Sequence, residues 1–271
     1  MIGVFDSGIG GLTVLRELIR ELPECGFLYL GDTARTPYGT KSAETVRRYA
    51  REDVQFLLDR GARFLVVACN TVSAVAANEL RVLFPHIPII EVVTPAVEEA
   101  CAATRNGRIG VIGTRATILS GVYEREVRRR LPTLEIVGVA CPLLVPLVEE
   151  GWLDRDITRA IVHEYLAPIR SADVDTLILG CTHFPLLETL ISAAVGAGVT
   201  IINPALAAAR ATRNQLGRDP SLAVACRSAT RQFLVTDRTP HFERIAAEWL
   251  RMPVALERVE LASFRHDERI V

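Results

Sequence analysis

The chain has 271 residues, 49% of them hydrophobic, and its 31 Lys and Arg nearly cancel its 32 Asp and Glu, leaving a formal charge of -1. That balance advertises neither nucleic acid nor an acidic membrane surface as a partner. No apolar run approaches the ~18 to 20 residues needed to cross a bilayer. Met1-Ile-Gly-Val-Phe-Asp6 starts directly as a strand, with no basic region and apolar core ahead of it, so a signal peptide is not expected and a soluble, cytoplasmic protein is. The length suits two modest α/β domains better than one large one. Six scattered cysteines (Cys25, Cys69, Cys101, Cys141, Cys181, Cys226), none in a Cys-x-x-Cys pair, are expected to be free thiols in a reducing compartment.

The opening strand ends at Asp6-Ser7-Gly8-Ile9-Gly10-Gly11, and Leu12, Leu15, Leu18, Ile19 and Leu22 recur at helical spacing before Pro23. The glycine-rich turn lacks the Gly-Lys-Ser/Thr of a P-loop. Thr13 stands where a dinucleotide fold needs its third Gly. A tight turn presenting backbone N–H groups and the Ser7 hydroxyl to an anion fits better, with Asp6 facing a cation or a thiol; Asp6 as a simple cap of the first turn is the plain alternative. A strand over Phe27–Leu30 precedes the loop Gly31-Asp-Thr-Ala-Arg-Thr-Pro-Tyr-Gly39. That loop is either functional or a surface turn with Tyr38 packed over the sheet. Ser42 starts a long helix that Gly61 ends.

Phe64-Leu-Val-Val-Ala-Cys69-Asn70-Thr71 and Thr176-Leu-Ile-Leu-Gly-Cys181-Thr182-His183 share one grammar, repeated about 110 residues apart. In each, a short aliphatic run reads as a buried parallel strand, and a cysteine precedes residues able to cap a helix. The carboxyl ends of such strands are where ligands sit in open α/β sheets, so both thiols are expected in a crevice. A helix N-terminus behind each is expected to lower its pKa. Around them the pattern predicts helices over 71–84 and 157–169, a Thr94-Pro95 helix start, and a helix from Pro185 to Val195. Strands are predicted at Ile87–Glu91, Arg108–Ile112, Leu134–Val139 and Val199–Asn203. A further helix near 242–250 and a closing strand near 256–261 complete the chain. This βα alternation predicts parallel sheets covered by helices, with the first domain handing over between about Val93 and Arg108.

Four uses of the two thiols compete at this point. They can be small core residues, the plain reading for Cys25, Cys101, Cys141 and Cys226. They can ligate zinc with His183 and Asp6, although the Cys-x-His spacing is unusual. They can form a redox disulfide. Or they can be the acid and base on opposite faces of one carbon, which inversion by proton transfer requires, with Asp6 and His183 as their proton partners. His183 alone also reads as a structural histidine.

Asp6-Ser-Gly-Ile-Gly-Gly, Gly31-Asp-Thr-Ala-Arg-Thr-Pro-Tyr-Gly39, Ala68-Cys-Asn-Thr71, Cys141-Pro-Leu-Leu-Val-Pro-Leu-Val-Glu149 and Gly180-Cys-Thr-His-Phe-Pro185, in that order, resemble the glutamate racemase family. The resemblance implies two pseudo-symmetric parallel-sheet α/β domains with the active site between them. Residues 1–95 plus about 208–271 would form the first, and about 96–207 the second. It implies interconversion of L- and D-glutamate without cofactor or metal, supplying peptidoglycan synthesis, in a cytoplasmic homodimer that uses neither nucleic acid nor membrane. On this chain the catalytic bases would be Cys69 and Cys181, assisted by Asp6 and His183 respectively. Cys181 would take the α-proton of L-glutamate and Cys69 that of D-glutamate. Substrate contacts would come from Asp6, Ser7, Tyr38, Gly39, Asn70, Thr71, Thr182, His183 and Glu149, with Asp32 and Thr114 as weaker transfers. Asn203-Pro204 and Val72 depart from the family pattern, and the start of the chain argues against an extension that senses a cell-wall precursor.

Overall fold

The computed structural model describes residues 1–262, so the end of the expected 208–271 segment lies outside the described residues. Ten strands occur among them: β1 (Ile2–Asp6), β2 (Phe27–Gly31), β3 (Phe64–Val67), β4 (Ile89–Glu91), β5 (Arg108–Gly113), β6 (Glu135–Ala140), β7 (Thr176–Gly180), β8 (Thr200–Ile202), β9 (Arg231–Val235) and β10 (Leu256–Arg258). They form two sheets, β10-β9-β2-β1-β3-β4 and β6-β5-β7-β8. Every pairing is parallel. The α/β class with two parallel sheets is therefore as expected.

Position in each sheet follows side-chain chemistry. The strands β1, β2, β3 and β7 are buried along their whole lengths, matching their unbroken aliphatic runs, and lie inside the sheets. The edge strand β6 starts at exposed Glu135 and is nowhere fully buried. Pattern alone left the destination of the last sixty residues open; β9 pairs with β2, returning the chain to the first sheet.

Helix starts are chemically marked. The Ser42 hydroxyl accepts from Thr45 N ahead of the helix Ala43–Asp59, and the Asn203 side chain accepts from Ala205 N ahead of Pro204–Arg218. The Glu91 carboxylate accepts from Val93 N at 2.6 Å and Thr94 N at 2.9 Å, starting the helix Val93–Ala103 that leads into the second sheet. Both expected domain boundaries fall within helices, Val93–Ala103 and Pro204–Arg218. The second of these packs on Leu12–Glu21 and on Val93–Ala103, and the small side chains Ala205, Ala207, Ala208 and Ala209 are buried. One continuous apolar cluster takes in Val4 and Phe27 from the first sheet with Leu177 and Leu179 from the second. The two sheets are thus joined behind their carboxyl ends, which leaves those ends facing a common cleft.

Candidate active site

A cavity of about 290 Å³ opens between the carboxyl ends of the two sheets. It is lined by Asp6, Ser7, Tyr38, Gly39, Cys69, Asn70, Thr71, Thr114, Glu149, Cys181, Thr182 and His183, which includes every expected site residue except Asp32. Register explains the convergence. Phe5 of β1 pairs with Val67 of β3, placing Asp6 beside the turn that carries Cys69. Gly113 of β5 pairs with Gly180 of β7, placing Thr114 beside Cys181.

On the first wall, Asp6 is buried and its Oδ2 accepts from Gly8 N at 3.0 Å, while Oδ1 is buried with no hydrogen-bond partner among the described residues. At least part of the anion-binding capacity expected of the glycine-rich turn therefore serves the carboxylate of the same turn. Glycine is needed there for close approach: a Cβ on Gly11 would sit 2.5 Å from the Asp6 Cβ. Burial raises the Asp6 pKa against the opposing pull of the His183 charge and the backbone N–H groups of Gly11, Gly8 and Ser7. Cys69 is the N-cap of the helix Asn70–Leu83, and its thiol lies 3.4 Å from Ser7 Oγ. The expected lowering of its pKa does not occur. Burial, reinforced by the Asp6 charge, pushes the Cys69 thiol up to about 12. Desolvation of a thiolate in this enclosed site outweighs the partial charge of a helix end.

The second wall is built differently. After β7 the chain makes a tight turn into a short 3-10 helix, Phe184–Leu187, before the α-helix Glu188–Val195, so Cys181 does not cap an α-helix directly. His183 Nδ1 lies 3.8 Å from Cys181 Sγ and 3.3 Å from Thr182 Oγ1, and its Nε2 lies 2.9 Å from Glu149 Oε1. The imidazole meets Trp249 edge-on at 5.5 Å. Burial alone would lower its pKa, but hydrogen bonds and charges from Cys181 and Glu149 overcome this and raise it to about 10. The ring is thereby biased toward its protonated form.

The two walls touch through the first glycine-rich turn. Thr13 Oγ1 donates to Thr182 O at 2.8 Å, and a Cβ on Gly10 would fall 2.3 Å from Thr182 Oγ1. Asp32 lies beneath the cavity, where it accepts from Arg35, Tyr38 and, at 2.8 Å, Thr236. Asp53 and Glu52 share the same guanidinium of Arg35. Tyr38 accordingly joins both of its readings, buried over the sheet yet lining the cavity. The sequence reading missed Arg115, Val145 and Pro146, which also line it. Arg115 directly follows Thr114, and the apolar pair lies within the Cys141–Glu149 motif, so adjacency was the available signal.

Two buried thiols on one cavity, each beside a group able to hold a proton, can serve as an acid and a base. All six cysteines are unpaired, and among the described residues no three His, Cys, Asp or Glu side chains gather as metal ligands do.

Comparison with known proteins identifies the family. The family model for Asp/Glu/hydantoin racemase matches residues 2–212. A glutamate racemase of Geobacter metallireducens is 45% identical over 249 residues, 92% of each chain. Glutamate racemase from Bacillus anthracis superposes with a TM-score of 0.91 at 39% identity, covering 96% of this chain and 97% of that one. The Francisella tularensis enzyme, solved in complex with D-glutamate, superposes with a TM-score of 0.90 at 35% identity, covering 97% and 98%. The chain belongs to the Asp/Glu/hydantoin racemase family, among its glutamate racemases.

Proposed function

We propose that this enzyme interconverts L- and D-glutamate by two-base proton transfer at Cα, with Cys69 and Cys181 on opposite faces of the substrate. The observation that carries the reading is the presence of both buried thiols on one cavity, one supplied by each sheet. Inversion needs a base on one face and an acid on the other. The thiol that removes the α-proton enters as thiolate, and the opposite thiol delivers its own proton, so the two exchange protonation states in each turnover. Asp6 would hold or return the proton of Cys69, and His183 that of Cys181. Its hydrogen bond to Glu149 fixes the ring while its other nitrogen faces the sulfur.

The α-proton of an amino acid is far less acidic than a thiol. Stabilisation of the developing enolate must therefore come from donors aimed at the substrate carboxylate in an enclosed site. Ser7, Asn70, Thr71 and Thr182 supply hydroxyl, amide and backbone donors around the cavity. No step in this chemistry requires a cofactor.

The glutamate complex of the Francisella relative supports glutamate as the substrate. D-Glutamate made this way would supply peptidoglycan synthesis from the cytoplasm. A homodimer is part of the proposal. Among the described residues, no helix is long and apolar enough to cross a membrane. The test is to replace each thiol with serine and offer each variant a glutamate analogue carrying a good β-leaving group. Each variant should lose racemisation yet eliminate from one enantiomer only, with opposite handedness. Racemisation surviving in either variant would reject the pairing.

A further inference from the structure

Tyr123 lies outside the cavity lining, yet its side chain touches the neighbours of both thiols. Its hydroxyl is 2.6 Å from Asn70 Oδ1, the residue after Cys69, and this buried hydrogen bond crosses from the second half of the molecule to the first. Its ring lies against Gly180, the residue before Cys181: a Cβ there would come within 3.1 Å of the Tyr123 Cε2 and 2.7 Å of Ile112 O. The helix Val122–Arg130 buries only a narrow stripe, Val122, Tyr123 and Val127, and packs chiefly on the helix Val93–Ala103.

The direction of that hydrogen bond decides what Asn70 presents to a ligand. Tyr123 is 3% exposed, and burial raises its pKa well above the ordinary phenol value, so it keeps its proton and must donate it. The acceptor is the amide oxygen of Asn70. Its amide nitrogen, at the other end of the same planar group, hydrogen-bonds to none of the described residues, and Asn70 lines the cavity. A flipped amide would instead turn an oxygen toward the substrate and leave the phenol proton without this acceptor.

We propose that Tyr123 is a positioning residue that fixes the Asn70 amide with its N–H groups toward the cavity, so that Asn70 donates to a substrate carboxylate. The substrate class follows from the chemistry: an anion that accepts from an amide, held beside Cys69. The identity of that anion as glutamate rests on the racemase reading above, whereas the orientation of Asn70 does not.

The experiment is a double-mutant cycle on the full-length enzyme with Tyr123→Phe, Asn70→Ala and the pair, measuring kcat and KM in both directions together with thermal melting. Phenylalanine keeps the ring against Gly180 and removes only the hydroxyl. Tyr123→Phe should raise KM for both enantiomers about tenfold, with kcat falling by less, because one fixed donor to a charged group is lost. In the Asn70→Ala background the same change should leave KM where it was. An equal rise in KM in both backgrounds would overturn the proposal, as would a lowered melting temperature with unchanged KM. Failure of the two-base reading would show separately, as racemisation retained by a thiol variant, a result that this cycle does not affect.

Discussion

The turns that carry Cys69 and Cys181 share a sequence grammar but not a microenvironment. Cys69 starts a 14-residue α-helix, lies beside Ser7 and Asp6, and is held as a neutral thiol by burial and by that carboxylate. Cys181 precedes a 3-10 turn and lies beside an imidazole whose pKa is raised and which Glu149 holds in place. A strand end followed by a helix therefore does not set thiol chemistry. At Cys69 burial does so first and the Asp6 charge next, because a helix end carries only about half a charge whereas burial acts on the full charge of a thiolate. One thiol is paired with an acid and the other with a base, which suits two groups that must exchange roles on the two enantiomers.

The strongest break of this comparison is loss of either sulfur. Cys69→Ser and Cys181→Ser should each lower the racemisation rate by at least about 10²- to 10⁴-fold, the range for a positioned acid or base. A polarimetric or circular-dichroism assay reads this directly. Next come the partners. Asp6→Asn and His183→Asn should each cost about 100-fold. The enantiomers have equal free energy, so kcat/KM must fall equally in both directions. Asymmetry must instead appear in isotope effects. Asp6→Asn should make proton transfer at Cys69 limiting, giving a large α-deuterium effect with D-glutamate and a small one with L-glutamate. His183→Asn should reverse the pattern, and identical patterns in the two variants would remove the assignment of partners.

A smaller effect is expected from Glu149→Gln. The Glu149 carboxylate helps to raise the His183 pKa to about 10, so its loss should move the alkaline limb of the kcat/KM profile to lower pH. Activity should fall about tenfold above about pH 10 and hardly at all below pH 8, as for a pKa lowered by about one unit. The same proton bears on stability. A histidine whose folded pKa lies above its unfolded value of ~6.5 contributes fully below that value and loses the contribution as pH rises toward about 10. Melting temperature of the wild type should therefore fall across that window more than that of His183→Gln. Gly10→Ala tests the contact between the walls. Its Cβ would fall 2.3 Å from Thr182 Oγ1 and 2.5 Å from His183 Cε1, and overpacking of this kind costs about 1 to 3 kcal/mol. Denaturant unfolding measures that loss.

Much of this was legible in the sequence because buried parallel strands announce themselves as aliphatic runs. Phe64–Val67 and Thr176–Gly180 are such runs, and the residues just beyond them reach the cavity. Less legible were elements whose apolar stripe is thin. Val122–Arg130 is rich in Arg and Glu, so the stripe that carries Tyr123 was not expected as a helix. Asp32 was misplaced for another reason. It belongs to the loop that lines the cavity, yet its carboxylate turns down to Arg35, Tyr38 and Thr236. Thr236 is distant in sequence and arrives only because β9 pairs with β2. A motif locates a loop, whereas the direction of each side chain in it depends on such long-range neighbours. The raised Cys69 pKa was hidden likewise, since burial at the junction of two sheets cannot be read from one strand.

The most direct test of two thiols on opposite faces is early-time racemisation of L-glutamate in deuterated water. The account requires D-glutamate that carries deuterium at Cα while the remaining L-glutamate keeps protium, because the proton removed by one sulfur is not the one delivered by the other. Deuterium entering L-glutamate as fast as it enters the product, or D-glutamate that retains the substrate's proton, would contradict it.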